Sequence, residues 1–410
     1  MEYLIHAWGI YDSERQAVSS ADGLLVKDGR IEAVGAYGAL LQGVRDIPTV
    51  DWSDCLLFPG LINTHVHLEF SASTRARQDF LEGTPGTHLL TAVQNAQTLL
   101  CSGVTTVRDA GSSWQALDLR HPQTQKLFQL PRMQLAGPPL TVTGGHLHFL
   151  GEETDGEGDM IRQVRVRQKR GCDAVKLIVT GGQMTPGSVA ERTSLTLEEI
   201  QAITGEAHLL GLHTFAHCLT TEGFVRCMLG GVDCIEHVAC FVRNGENRLL
   251  ERIYERERME PFRGQRREFM MGLSAGYHNL DAPRAGQRSA TADKRFFLEQ
   301  EERMFAIFRE LIDLGLEPVC GTDAGTSGTR FDETWLEPVL MVERAGLTCA
   351  QAVQVATERS ARCLGLEGET GRLAAGLSAD IIALDGNPLE DIRALGRVRH
   401  VVSQGRVVEM

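Results

Sequence analysis

His65 and His67 close the run CLLFPGLINTHVH, and residues two apart on a strand share a face, so both imidazoles can enter one cavity with the spacing of a metal-ligand pair. A lone His-x-His is a weak signal, and its company decides its meaning. Lys176 lies in AVKLIVTGG between Val175 and Leu177, so a strand there aims the amine away from its apolar neighbours, toward the interior of a parallel barrel. Burial disfavours the ammonium and leaves a neutral amine, suited to Schiff-base chemistry or to reaction with carbon dioxide; a buried salt bridge is the structural alternative. His217 ends GLHTFAH, His237 ends VDCIEH, and Asp323 follows PVC in GTDAGTSG. Each stands where a parallel strand should finish, the end at which such barrels carry their sites. Imidazoles, a carboxylate and a lysine in this set suit zinc, or cobalt or manganese, better than calcium or magnesium.

The elements that must hold these groups alternate. Strand candidates LLFPGLINTH, VTTVRDAG, MQLAG, AVKLIVTGG, GLHTFAH, VDCIEH, FMMGLSAGYH and LEPVCGTDAG are separated by helical stretches, which predicts an α/β chain folded as a (β/α)8, TIM-like barrel. Apolar residues at three- and four-residue spacing predict helices at 88–102, 156–170, 196–210, 296–315 and 333–346, with a capping box in SLTLEEI from Ser194 or Thr196 to Glu198 or Glu199. Residues 3–58 and the tail from about 367 share short apolar runs broken by turn signals. KDGRIEAVG and SQGRVVEM share a strand, turn, Gly-Arg, strand pattern, so both ends are expected to build one sheet, in a small β-sandwich domain made from residues 1–58 and 367–410 beside a barrel at 59–366. The charged stretch 243–270 is expected to form a helical insertion or a solvated helical face.

Composition narrows the function. The 410 residues carry 41 basic and 54 acidic side chains, net charge -13, with 42% hydrophobic residues. That balance excludes a generic polyanion binder, a disordered chain and a collagen-like repeat. GTDAGTSG and VTGGQ lack the spacing of nucleotide-binding loops, and no basic, aromatic-interleaved patch offers a nucleic-acid surface. Ten scattered cysteines without Cys-x-x-Cys, an N-terminus without a basic n-region and the lack of a long uncharged apolar run predict a reduced cytoplasmic protein with no membrane span. The expected partner is a small-molecule substrate, with homo-oligomerisation common among enzymes of this size.

With FPGLINTHVHLE, SGVTTVRDAG, TVTGGH, AVKLIVTGG, VDCIEH, GTDAGT and ATERSARCLGLEGETGRLAAGLSADIIALDGNP in place, nearly the whole chain resembles the amidohydrolase superfamily, in the branch of prolidase-like dipeptidases and C-terminal amino-acid carboxypeptidases. The resemblance implies two divalent metals. His65, His67 and Asp323 would hold the first, His217 and His237 the second, and Lys176, carboxylated by carbon dioxide or bicarbonate, would bridge them. It further implies cleavage of an amide C–N bond, in a dipeptide or N-acyl amino acid, by a hydroxide between the metals, with Asp323 as proton shuttle. His146, Tyr277, His278 and Arg330 are the candidate substrate contacts.

Two positions depart from the resembled pattern. Relatives usually read His-Ala-His-Gly where this chain has AHCLT, so His217 is kept and Leu219 replaces a second histidine; relatives also carry a histidine after the aspartate, where Arg330 and Phe331 stand here. Rival readings are a one-metal heterocycle deaminase, disfavoured by Thr220 in place of a glutamate, a lactone, carbamate or phosphotriester hydrolase, and a non-catalytic scaffold. His6, His88, His121, His208, His213 and His400 are read as structural.

Overall fold

The computed structural model describes residues 2–44, 46–245, 249–275 and 291–409. The chain opens with β1 (Glu2–Asp12), β2 (Ala17–Ser19), β3 (Gly23–Lys27), β4 (Arg30–Gly35) and β5 (Thr49–Pro59). Gly60 then leads straight into β6 (Leu61–Val66), where a Cβ would stand 2.1 Å from the Thr105 hydroxyl, a close approach that only glycine permits.

β6 pairs in parallel with β7 (Val104–Asp109), and β7 with β8 (Arg132–Leu135). A second parallel sheet comprises β9 (Ala174–Ile178), β10 (His213–Cys218) and β11 (Cys234–His237); beyond the hairpin β12 (Phe241–Arg243) and β13 (Leu250–Arg252) it continues with β14 (Glu268–Met270) and β15 (Glu317–Pro318). Backbone hydrogen bonds tie the two sheets at both outer edges. Beyond β8, the Leu140 amide donates to Lys176 O at 2.8 Å, and Ile178 N returns a bond to Leu140 O at 2.9 Å. Beyond β15, Cys320 O accepts from Thr64 N at 2.8 Å, and Asp323 N donates to His65 O at 3.0 Å. Strands buried on both faces read as the near-continuous apolar runs seen in the sequence, and every residue of β6, β7 and β9 is buried.

The expected helices are present with adjusted ends: Pro85–Cys101, Glu157–Arg170, Leu197–Leu209, Thr291–Leu314 and Leu336–Glu343. Of the two proposed caps Thr196 is used, its hydroxyl accepting from Glu199 N while the Glu199 carboxylate accepts from Thr196 N. The charged stretch 243–270 departs from expectation. Its described residues form a hairpin strand, one helical turn (Arg256–Met259), a 3-10 turn containing Pro261, and β14. Its charges pair with neighbouring elements, Arg243 with Glu191, Arg256 with Glu310 and Arg258 with Glu222, instead of along one helix face.

The tail strands β16 (Ile381–Leu384), β17 (Val398–Ser403) and β18 (Arg406–Val407) join the first five in one sheet, ordered β18-β17-β16-β5-β1-β3-β4 with β2 on β1. As the shared pattern of the two ends suggests, they meet in a single hydrogen-bonded sheet, because β5 pairs with β1 on one side and with β16 on the other. Its apolar face packs Tyr3, Ile5, Leu24, Val26, Trp52, Leu57, Ile381 and Val402 into a core of its own.

Gly325 (φ +101°) sets the distance between the β6 and β15 ends: a Cβ there would lie 2.3 Å from His67 O. Gly325→Ala must strain the backbone or displace it, at a cost on the order of 1–3 kcal/mol. Calorimetry should show a lower Tm for Gly325→Ala, and an unchanged or slightly higher one for Gly158→Ala, where helical backbone faces open space.

Candidate metal centre

The end of β6 carries His65 and His67, and the turn after β15 carries Asp323. Asn63 locks the two together: its amide nitrogen donates to Thr322 Oγ1 at 2.8 Å and Thr334 Oγ1 at 2.9 Å, while its oxygen accepts from His65 N at 3.1 Å. Asp323 Oδ1 then lies 3.2 Å from His65 Nε2 and 3.3 Å from His67 Nε2, and the two Nε2 atoms are 3.4 Å apart. His67 Nδ1 is 2.8 Å from Gly111 O. A carbonyl oxygen only accepts, so that nitrogen carries the proton and Nε2 presents its lone pair.

On the other sheet, His217 is the last residue but one of β10 and His237 ends β11. The ring centroids of His65 and His237 are 5.1 Å apart, those of His237 and His217 4.9 Å, and those of His217 and His146 4.8 Å. Six of the expected residues thus form one continuous cluster, His65, His67, Asp323, His237, His217 and His146. Lys176 is buried close by, its amine against the Glu236 carboxylate and 5.0 Å from the centre of the Phe215 ring. His146 Nδ1 is 3.0 Å from Thr185 Oγ1, and His217 Nε2 is 3.1 Å from Gly181 O.

Two of these residues hold unusual backbone. Asp323 has φ +63° and His237 φ +70°, a region that non-glycine residues seldom occupy and that recurs at functional sites.

Burial pushes His146 and His217 well below the ordinary histidine range and His237 down to about 3. Burial also lowers Lys176, against the pull of Glu236. His67 moves the other way: burial opposes its charge, but the hydrogen bond to Asp323 and that residue's charge outweigh it. Burial would raise Asp323, yet His65 and His67 hold it well below the usual carboxylate range. Without a cation, two lone pairs and a carboxylate facing one another at these distances would repel; a proton on His67 relieves that, and a divalent ion would relieve it more fully. The donor set, two imidazole nitrogens and one carboxylate oxygen with further imidazoles within one ring contact, therefore fits a borderline divalent metal.

The substrate-contact candidates fare differently. Arg330 is 59% exposed and paired with Asp332 and Glu333 of its own loop. Tyr277 and His278 lie outside the described residues. Leu219 is buried beside Ala190 and Ala239, leaving an apolar neighbour where relatives have a histidine. Five of the six histidines read as structural have local partners: His6 stacks on Tyr37, His88 contacts Phe80 O, His121 caps Pro122–Leu127, His208 meets Asp233 and His400 stacks on Trp52, while His213 is half-buried at the start of β10.

Sequence reasoning missed Glu236 and Arg108, both fully buried. The signal was present in VDCIEH and VTTVRDAG, as a charge inside an apolar strand run. Period-two alternation sends Glu236 and His237 to opposite faces, and the left-handed turn at His237 is what brings both beside His65.

The chain belongs to the amidohydrolase family, whose model matches residues 56–249 and 286–408. Ochratoxinase from Aspergillus niger is 24% identical over 385 residues, covering 86% of this chain and 75% of the relative. Imidazolonepropionase from Symbiobacterium thermophilum is 24% identical over 422 residues, covering 96% and 91%. A solved Xaa-Pro dipeptidase with methionine bound in its active site superposes with a TM-score of 0.83 at 26% identity, over 100% of both chains. These likenesses imply a TIM-barrel-like fold and make the chain a hydrolase acting on C–N bonds, in a family that generally uses divalent metals. No helix among the described residues is long and apolar enough to cross a membrane.

The depressed histidines carry a pH signature. An unfolded chain protonates His237 near its ordinary 6.5, whereas the folded protein takes that proton only near 3, so stability falls as pH drops through 6.5. Between about pH 7.5 and 5.5 this residue alone accounts for about 1 kcal/mol. His146 and His217 act in the same direction and His67 in the opposite one. Urea unfolding of chelator-treated protein should show this loss, and His237→Gln should flatten the slope.

Proposed function

We propose that this chain is a cytoplasmic, binuclear metal-dependent amidohydrolase that cleaves the amide bond of a dipeptide or N-acyl amino acid. The observation that carries the reading is the convergence of His65, His67, His217, His237 and Asp323 at one end of the strands of a parallel α/β fold, with Lys176 buried in β9 against Glu236, which itself lies beside His65. In this reading the strands close into one (β/α)8 barrel spanning 59–366, with 1–58 and 367–410 as the two halves of a sandwich-like terminal domain. The ten free cysteines support the reducing compartment.

His65, His67 and Asp323 would hold one ion, zinc by donor type, and His217 and His237 the other, with Lys176, carboxylated by carbon dioxide or bicarbonate, between them. Divalent ions supply Lewis acidity, polarising a carbonyl and lowering the pKa of water. Asp323, kept ionised by its histidine neighbours, accepts the proton of the attacking water at a carboxylate oxygen and passes it to the leaving nitrogen. His146, held neutral by burial and anchored by Thr185, is placed to donate an N–H to the substrate's carbonyl or carboxylate oxygen. Arg330 enters substrate binding only if it releases Asp332. The substrate in this reading is a small molecule, and a homo-oligomer is compatible with it.

A heterocycle deaminase would need proton chemistry where Thr220 stands. There the Thr220 hydroxyl caps Thr221–Gly230 by accepting from Gly223 N and is 2.8 Å from Thr193 Oγ1. Lactone, carbamate and phosphotriester hydrolysis remain the alternatives for the same centre.

The test is free amino acid released by zinc-loaded protein, supplied with bicarbonate, from a library of dipeptides and N-acyl amino acids varied at both positions. A coherent cleaved subset supports the reading; silence with two metals bound overturns it in favour of the other substrates. Asp323→Asn should lower kcat by about 100-fold or more, and turnover within threefold of the unsubstituted enzyme would remove Asp323 from proton transfer.

A further inference from the structure

We propose that Glu236, braced by Arg108, is the positioning residue of the metal centre: it sets the orientation of His65 and fixes the place of the Lys176 amine. The inference rests on the metal-centre reading above and concerns residues that reading leaves unused.

Glu236 reaches both sides of the site. One oxygen, Oε1, is 2.9 Å from His65 Nδ1, the nitrogen opposite the one that faces His67 and Asp323. The other, Oε2, contacts the Lys176 amine. All three side chains are buried, so none can turn to water for a partner. A carboxylate beside the outer nitrogen of a ligating histidine keeps the proton on that nitrogen and the lone pair on the inner one. The Nδ1–H meets Glu236 off the ideal hydrogen-bond line, so attraction to the carboxylate charge supplies most of the orienting force.

Arg108 explains why Glu236 stays put. Its Nε donates to Thr64 O at 2.9 Å, the residue before His65; its Nη2 stands 3.4 Å from Glu236 Oε1; and its guanidinium lies 3.9 Å from the centre of the Phe215 ring. The same ring lies under the Lys176 amine. One aromatic face from β10 thus meets the Arg108 guanidinium from β7 and the Lys176 nitrogen from β9, and the β11 carboxylate contacts both. Arg108 compensates the charge of Glu236 on one side, and on the other the Lys176 nitrogen donates an N–H, which a carboxylated lysine keeps, so the carboxylate is held from both sides.

The experiment compares the unsubstituted protein, Glu236→Gln, Glu236→Asp and Arg108→Lys. Metal dissociation constants come from competition with a chromophoric chelator, metal stoichiometry from elemental analysis, the histidine tautomers from long-range 1H–15N NMR, and lysine carboxylation from 13C NMR after 13C-bicarbonate. Metal affinity should fall about 10- to 100-fold in Glu236→Gln, with two metals still bound at saturation and the His65 tautomer no longer single. Glu236→Asp should recover part of that loss, and Arg108→Lys, which keeps the carboxylate, should weaken affinity less. Unchanged affinity and tautomer in Glu236→Gln would overturn the proposal, as would loss of one whole equivalent of metal, which would make Glu236 a ligand. If the unsubstituted protein binds no metal, the metal-centre reading fails instead, and the two failures are distinguishable. Should Glu236→Gln not fold, the Arg108→Lys affinity and tautomer spectrum decide: both unchanged, the brace is wrong.

Discussion

The centre of this molecule is governed by charge compensation without water. His65, Lys176, Arg108 and Glu236 are almost wholly shut away from solvent. An isolated charge there would be prohibitive, so each survives only through the others. That constraint reaches outward: four strands must place their side chains to within a fraction of an ångström, and the backbone bonds from Thr64 to Cys320 and from Leu140 to Lys176 hold the strands in the register that does so. Packing elsewhere can change and keep a core; a shift of one residue in any of these strands would leave a buried ion without its partner.

The site also shows where regular structure gives way. Regular β-structure sends alternate residues to opposite faces, a pattern that supplies His65 and His67 but cannot bring adjacent side chains into one cluster. The left-handed His237 overcomes that limit at the end of β11, where Glu236 and His237 both come beside His65, and Asp323, also left-handed, turns in from the loop after β15.

Much of this was legible in the sequence, for identifiable reasons. Histidines at strand ends announce themselves because imidazole is uncommon in apolar runs, and Thr196 and Glu199 announce a helix start by their spacing. Glu236 was hidden because it precedes a more conspicuous histidine and because alternation assigned it to the wrong face. The stretch 243–270 was misread because charge density is compatible both with a solvated helix and with a surface whose arginines reach across to other elements; only the partners Glu191, Glu222 and Glu310, distant in sequence, decide between them. The joining of the two chain ends in one sheet was legible from the pattern that KDGRIEAVG and SQGRVVEM share, but its strand order was not. Which side of β5 receives β16 is a long-range pairing, and local pattern carries no record of it.

That pairing bears on how the chain is made. β5 is synthesised long before β16, yet one of its edges is satisfied only by residues beginning at Ile381. During synthesis, an apolar strand with open hydrogen-bonding groups must wait until β16 has left the ribosome. A product cut before β16 that retains every metal-ligand candidate would still expose that edge, so β16 acts as a built-in cap against strand-to-strand association between nascent copies.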